Sequence, residues 1–99
     1  MMNSDYVKLQ KASLYWTSTP VRTYTNAALK TCACVLVTAY WNNYYNSKIL
    51  VSPTTPYHFV FDINGACKTG VITWTKTDGT VAVTGGATDV YFVGISLFV

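Results

Sequence analysis

Asp89-Val-Tyr-Phe-Val-Gly-Ile-Ser-Leu-Phe-Val99 reads as one long β-strand that is apolar on both faces. Alternation places Tyr91, Val93, Ile95, Leu97 and Val99 on one side and Val90, Phe92 and Phe98 on the other, with Gly94 and Ser96 between them. A half-buried strand alternates apolar with polar residues. This one does not, so both faces are expected to be covered, in the centre of a sandwich or against another subunit. The C-terminus is accordingly expected to be built into the structure rather than frayed. Thr31 to Trp41 is the only other segment of this kind. It sets Cys32, Cys34, Leu36 and Tyr40 against Ala33, Val35, Val37, Ala39 and Trp41. The two segments are expected to be central strands, with pairing to each other as one arrangement that covers both.

Working outward, the pattern is β throughout. Thr, Val, Tyr, Phe, Ile and Trp dominate, and these suit pleated, packed surfaces. Tyr6–Trp16 reads as a first extended segment, broken by Ser18-Thr-Pro20. Val21–Thr25 is a short strand. Asn26-Ala-Ala-Leu-Lys30 is a single helical turn that Asn26 can cap. Lys48–Ser52 is a short strand ended by Pro53-Thr-Thr-Pro56. Tyr57–Ile63 alternates, with Tyr57, Phe59, Phe61 and Ile63 facing in, and Asn64-Gly65 is a turn. Val71–Thr77 and Thr80–Thr84 form a hairpin about a two-residue Asp78-Gly79 turn. That register pairs Thr77 with Thr80 and Trp74 with Val83. It presents a threonine face to solvent and a Trp74 face to the core. The whole is expected to be one all-β domain over residues 1–99, a small antiparallel β-sandwich or jelly roll of about 7–8 strands. Residues 1–5 are expected to be a flexible or docking arm.

The chain has 99 residues, of which 51% are hydrophobic and only 11% charged. An average domain carries about a quarter charged residues. So little charge on a small domain suggests that other protein covers part of its surface, the alternative being a monomer coated with Thr, Ser and Asn, in which the chain is rich. The net charge of +3 reflects a shortage of acids, with no Glu, rather than a cluster of bases. Phosphate binding needs clustered Lys and Arg, so nucleic acid is not an expected partner. No apolar run is long enough to span a bilayer as a helix. Met1–Trp16 shows no charged start and no apolar signal region, and the expectation is a chain made in the cytosol.

Candidate chemistry is sparse, and no catalytic residue, metal or cofactor is assigned. The acids are Asp5, Asp62, Asp78 and Asp89. Asp78 suits turn chemistry, and Asp62 and Asp89 sit at strand ends where carboxylates satisfy turn amides. Their spacing does not suggest a glycosidase pair. His58 has no nucleophile motif near it. With Cys32, Cys34 and Cys67 it makes a weak match to a Cys3His zinc site. Cys32 and Cys34, two apart on one strand, would share a face and be poorly placed to bridge. The cysteines read as free, buried thiols.

One segment has the composition of a binding loop: Tyr40, Trp41, Asn42, Asn43, Tyr44, Tyr45 and Asn46. Its rings offer flat apolar faces, and its amides offer donors and acceptors together. The competing reading has Tyr40 and Trp41 finishing a buried strand and the tyrosine pair packing over the end of the sandwich.

Thr77-Asp-Gly-Thr-Val-Ala-Val-Thr-Gly-Gly86 and Asp89–Phe98 resemble the final hairpin and closing strand of small β-domains in bacteriophage fibre, tail and head-decoration proteins. Val90-Tyr-Phe-Val-Gly-Ile95 is also similar to the last strand of tumour-necrosis-factor-like jelly rolls, where a closing aromatic strand packs near a three-fold axis. The resemblance implies a non-enzymatic virion structural protein, made in a bacterial cytoplasm and located in the virion. Its partners would be other virion proteins and copies of itself in a homo-oligomer, with a trimer as one form. It also implies that Tyr91, Val93, Ile95, Leu97 and Phe98 serve as interface or core. The alternative function is a carbohydrate- or receptor-binding module that uses the Tyr40–Asn46 loop on a host-surface glycan.

Overall fold

The structure, a computed structural model, describes residues 11–98. The expected arm at residues 1–5, the start of the first extended segment at 6–10, and Val99 lie outside the described residues. Eight strands are described: β1 (Lys11–Val21), β2 (Thr23–Thr25), β3 (Cys34–Trp41), β4 (Tyr44–Leu50), β5 (Tyr57–Ile63), β6 (Ala66–Thr75), β7 (Thr80–Gly86) and β8 (Tyr91–Phe98). They form two antiparallel four-stranded sheets, β1-β8-β3-β4 and β2-β7-β6-β5, packed as a β-sandwich. The two strands read as central, β3 and β8, are neighbours at the centre of the first sheet.

The core between the sheets is built on Trp74, Phe59, Phe92, Leu50 and Ile72, all fully buried. Val35, Val37, Ala39 and Trp41 of β3 face it, as alternation predicts. The turn after β2 adds one residue to this core. Asn26 caps a 3-10 turn at Ala27–Lys30, its Oδ1 accepting from the Ala28 N–H at 2.9 Å. This places Leu29 in the core, where its carbonyl accepts from Nε1–H of Trp74 at 2.9 Å. Arg22 ties the corner between β1 and β2 to the entry of β8. Its guanidinium donates to the carbonyls of Thr88 and Val90, each at 2.8 Å.

The two-faced reading of β8 is corrected by a bulge. Thr38 pairs with Gly94, but Ala39 pairs with Phe92, so Val93 is an extra residue. A bulge reverses which parity faces the core. Val90 and Phe92 point in before it, and Ile95 and Leu97 point in after it. Each half of β8 is thus an ordinary one-sided strand. Tyr91 and Val93 do not share a face with Ile95 and Leu97. In β3 the apolar second face is shorter than expected, because Thr31–Ala33 precede the strand and Cys32 is buried off the end of it.

Three boundaries also shift. The Ser18-Thr-Pro20 stretch does not end β1, which bulges there and runs on to Val21. Asn42 and Asn43 form the whole turn between β3 and β4, both with positive φ (47 and 66), so β4 starts at Tyr44 rather than Lys48. This is the left-handed pair that a two-residue hairpin requires, and asparagine tolerates it. The β6–β7 turn has four residues, Lys76–Gly79, with Thr75 opposite Thr80 and Trp74 opposite Val81. The register moves by two relative to the Asp-Gly reading, which leaves both faces unchanged. Gly79 sits against the backbone of Asn26, whose N–H donates to its carbonyl at 2.8 Å.

The outer face of the β2-β7-β6-β5 sheet carries the expected threonines. Hydroxyl pairs join Thr73 to Thr84 at 2.9 Å and Thr25 to Thr80 at 3.0 Å. Between the edge strands β4 and β5 the sandwich is closed by side chains. Asn46 Nδ2 donates to the Val60 carbonyl at 2.9 Å, and Lys48 Nζ donates to the His58 carbonyl at 3.2 Å. Inward-turned polar residues of this kind blunt a sheet edge.

Candidate functional site

Two bulges facing each other build a groove. Trp16 pairs with Gly94 and Val21 pairs with Phe92, so residues 17–20 of β1 arch past the single extra residue Val93 of β8. Pro20 lacks an N–H and suits a stretch that leaves the ladder. Inside the arch the Thr17 hydroxyl accepts from the Thr19 N–H at 3.1 Å. The groove encloses about 370 Å³ on the outer face of the β1-β8-β3-β4 sheet. It is lined by Thr17 and Pro20 of the arch and Val93, together with Trp16, Tyr40, Asn43 and Tyr45.

Its aromatic walls come from three strands. Trp16 is 69% exposed and lies over Gly94, whose missing side chain makes room for the indole. Aromatic cover over a strand glycine protects the backbone there. Tyr40 and Tyr45 are cross-strand partners whose rings meet edge-on, centroids 5.5 Å apart. The Tyr40 hydroxyl donates to Asn43 Oδ1 at 2.9 Å, tying the turn to the strand that enters it.

The Tyr40–Asn46 segment is therefore a hairpin tip whose residues divide between the two faces. Tyr40, Asn43 and Tyr45 line the groove. Asn42 is exposed at the turn. Trp41 is 9% exposed on the core side, tilted against Phe61 and stacked on Tyr44 at 6.4 Å. Asn46 is engaged with Val60. Trp16 completes the site, and sequence reasoning misses it. Its partners lie far along the chain, and no local pattern marks it.

The closing-strand residues also divide. Ile95 and Leu97 are core, and Val93 is buried beneath the groove. Tyr91 is half-buried under the Arg22 guanidinium, 5.8 Å from the ring centroid. Phe98 is half-buried opposite Cys34.

Asp89 has a specific role at the other side of the hairpin. Its carboxylate accepts from Trp41 Nε1–H at 3.0 Å and stands 3.7 Å from Lys68 Nζ. The indole hydrogen bond first, then the backbone N–H of Asp89 itself and Lys68, hold this carboxyl below its ordinary pKa. Asp62 is exposed on β5 opposite Cys67. Among the described residues no three His, Cys or acidic side chains come together as metal ligands, so His58 and the cysteines do not converge. The three cysteines are free, with Cys32 and Cys34 buried and Cys67 exposed, which corrects the reading of Cys67 as buried. Burial pushes the Cys32 thiol up, away from the reactive thiolate.

Beyond the groove, the outer face of the same sheet is crossed by a polar rung. The Thr38 and Ser47 hydroxyls bond at 3.0 Å. Past that rung lies Leu36 with its partner Ile49, 49% exposed, and Val51, 61% exposed, follows the end of β4. Comparison of the chain with protein-family models, with curated proteins and with solved structures finds no match in any of the three.

Proposed function

We propose that this protein is a non-enzymatic structural component of a larger assembly. It acts by protein contact through the outer face of the β1-β8-β3-β4 sheet, as a virion fibre-tip, tail or capsid-decoration domain does. One observation carries the assembly reading. This outer face bears exposed Ile49 beside half-buried Leu36, with exposed Val51 just past the end of β4, whereas the outer face of the other sheet is mostly threonine, with Val60 exposed on its edge strand β5. An apolar patch beside a sheet edge, on a chain with little charge, suits a subunit contact. The virion setting draws on the resemblance of Thr77–Gly86 and Asp89–Phe98 to phage β-domains. The partner is a second copy of the chain or another virion protein. Light scattering at increasing concentration tests it. Self-association that Ile49→Lys abolishes without lowering thermal stability supports the reading. A wild-type protein that stays monomeric and binds no virion fraction rejects it.

A second reading, a recognition module for a host-surface receptor, is favoured by the groove. Its aromatic walls stand at the end of the face away from Ile49, about 13 Å along β3 from Leu36 at normal strand rise. The two readings therefore use different residues and can hold together in a fibre tip.

A further inference from the structure

We infer that the groove between Trp16 and the Tyr40–Tyr45 pair binds a neutral saccharide. The inference rests on the recognition reading and names its ligand class. Charge decides first. Among the described residues, no Asp, Glu, Lys, Arg or His lines the groove. An anionic sugar, a phosphate or a basic peptide would find no counter-charge among them, whereas an uncharged ligand has no charge to desolvate and needs only partners for its hydroxyls.

Shape decides next. The groove, at about 370 Å³, lies near the small end of ligand sites, suited to a sugar ring or two rather than a cofactor. The Trp16 indole offers a broad apolar face. Tyr40 and Tyr45 stand at 63° to each other and form an angled wall rather than a single flat surface. Pyranose rings present patches of C–H on their faces and hydroxyls around their rims. An open aromatic face beside fixed polar groups matches both. Those polar groups are held in place. Asn43 sits in a turn whose backbone is fully specified, and its Oδ1 is taken by Tyr40. This leaves its Nδ2 as a donor and the Tyr40 oxygen as an acceptor for sugar hydroxyls. Thr17 supplies a further hydroxyl at the arch.

The walls are braced by contacts within the fold. Trp16 is seated against the backbone of Gly94, and Tyr40 is braced by Tyr45 and Asn43. Aromatic side chains, with few rotatable bonds, give contact area at little entropic cost.

The test uses fluorine NMR on full-length protein labelled with fluorotryptophan. Trp74 is fully buried and Trp41 is 9% exposed, so ligand contact in the groove should move the Trp16 line alone. The Trp16 line is assigned from Trp16→Phe. Probes are neutral oligomers of glucose, galactose, mannose and N-acetylglucosamine, then heparin as an acidic saccharide, and a pooled neutral peptide library. The expected result is a saturable shift of the Trp16 line with at least one neutral oligosaccharide below about 10 mM. Tyr45→Ala should weaken that binding about tenfold or more, and Ile49→Lys should leave it unchanged. Binding of heparin or of peptide with no response to neutral saccharides overturns the ligand class and leaves the recognition reading standing. No response to any probe overturns both. Undiminished binding by a folded Tyr45→Ala protein overturns the placement of the site.

Discussion

The indole of Trp16 occupies the space that a side chain on Gly94 would take: a Cβ at Gly94 would stand 2.6 Å from Cζ3 of Trp16. The two residues are cross-strand partners. The glycine is therefore a seat, and what it seats is the wall of the groove. Because the indole is largely exposed, it can swing away when the seat is filled. Gly94→Ala should change stability by no more than about 1 kcal/mol, since the better strand propensity of alanine offsets the looser packing of the displaced indole. The same substitution should move the Trp16 resonance and abolish any ligand response. Urea unfolding and fluorine NMR on one sample check both halves.

Gly70 presents the opposite case. A Cβ there would stand 2.9 Å from Cβ of Val90, which is fully buried and whose carbonyl is held by Arg22. Val90 has nowhere to go. Gly70→Ala should cost about 1–3 kcal/mol, the usual range for overpacking. Adding Val90→Ala should recover part of it, so the double mutant should be less destabilised than the sum of the singles. Chemical denaturation of the four proteins measures the coupling.

Asp89 predicts a pH dependence. Its folded-state pKa lies below the ordinary carboxylate value, chiefly through the Trp41 hydrogen bond. A depressed carboxylate contributes stability that is fully present above its unfolded pKa, about 3.9, and is lost as pH falls through the folded value. Asp89→Asn keeps an acceptor for the indole but cannot titrate. Urea midpoints measured from neutral pH to about pH 2 should fall less steeply for Asp89→Asn than for wild type.

Asn46 and Lys48 cover two carbonyls of the β5 edge. Their replacement together by alanine uncovers a strand edge that can then pair with another chain. Asn46→Ala/Lys48→Ala should aggregate faster on mild heating while its secondary structure before heating is unchanged. Turbidity and far-ultraviolet circular dichroism decide it.

Periodicity made the all-β fold, the central place of β3 and β8, and the inward face of β5 legible from composition and alternation alone. It could not show the Val93 bulge. A strand that changes its inward parity midway has the same pattern as one buried on both sides, and only pairing with β3 tells them apart. The β6–β7 register failed for a related reason. Asp78-Gly79 has the composition of a two-residue turn, but Gly79 packs on Asn26, a neighbour across the fold. Half of the candidate site was visible, in Tyr40, Asn43 and Tyr45. Trp16 was not, because its place depends on a glycine at the far end of the chain.

The pairing of β1 with β8 has a kinetic consequence. Lys11 meets Phe98, so this sheet closes only when segments at opposite ends of the described chain find each other. Pairings so distant in sequence carry a large loop-closure cost and belong to the slow, millisecond-to-second class of folders. Until β8 slides between β1 and β3, both of those strands present an open edge. The interval before insertion is when this chain is most exposed to pairing with its neighbours, and the insertion of one strand removes both edges together.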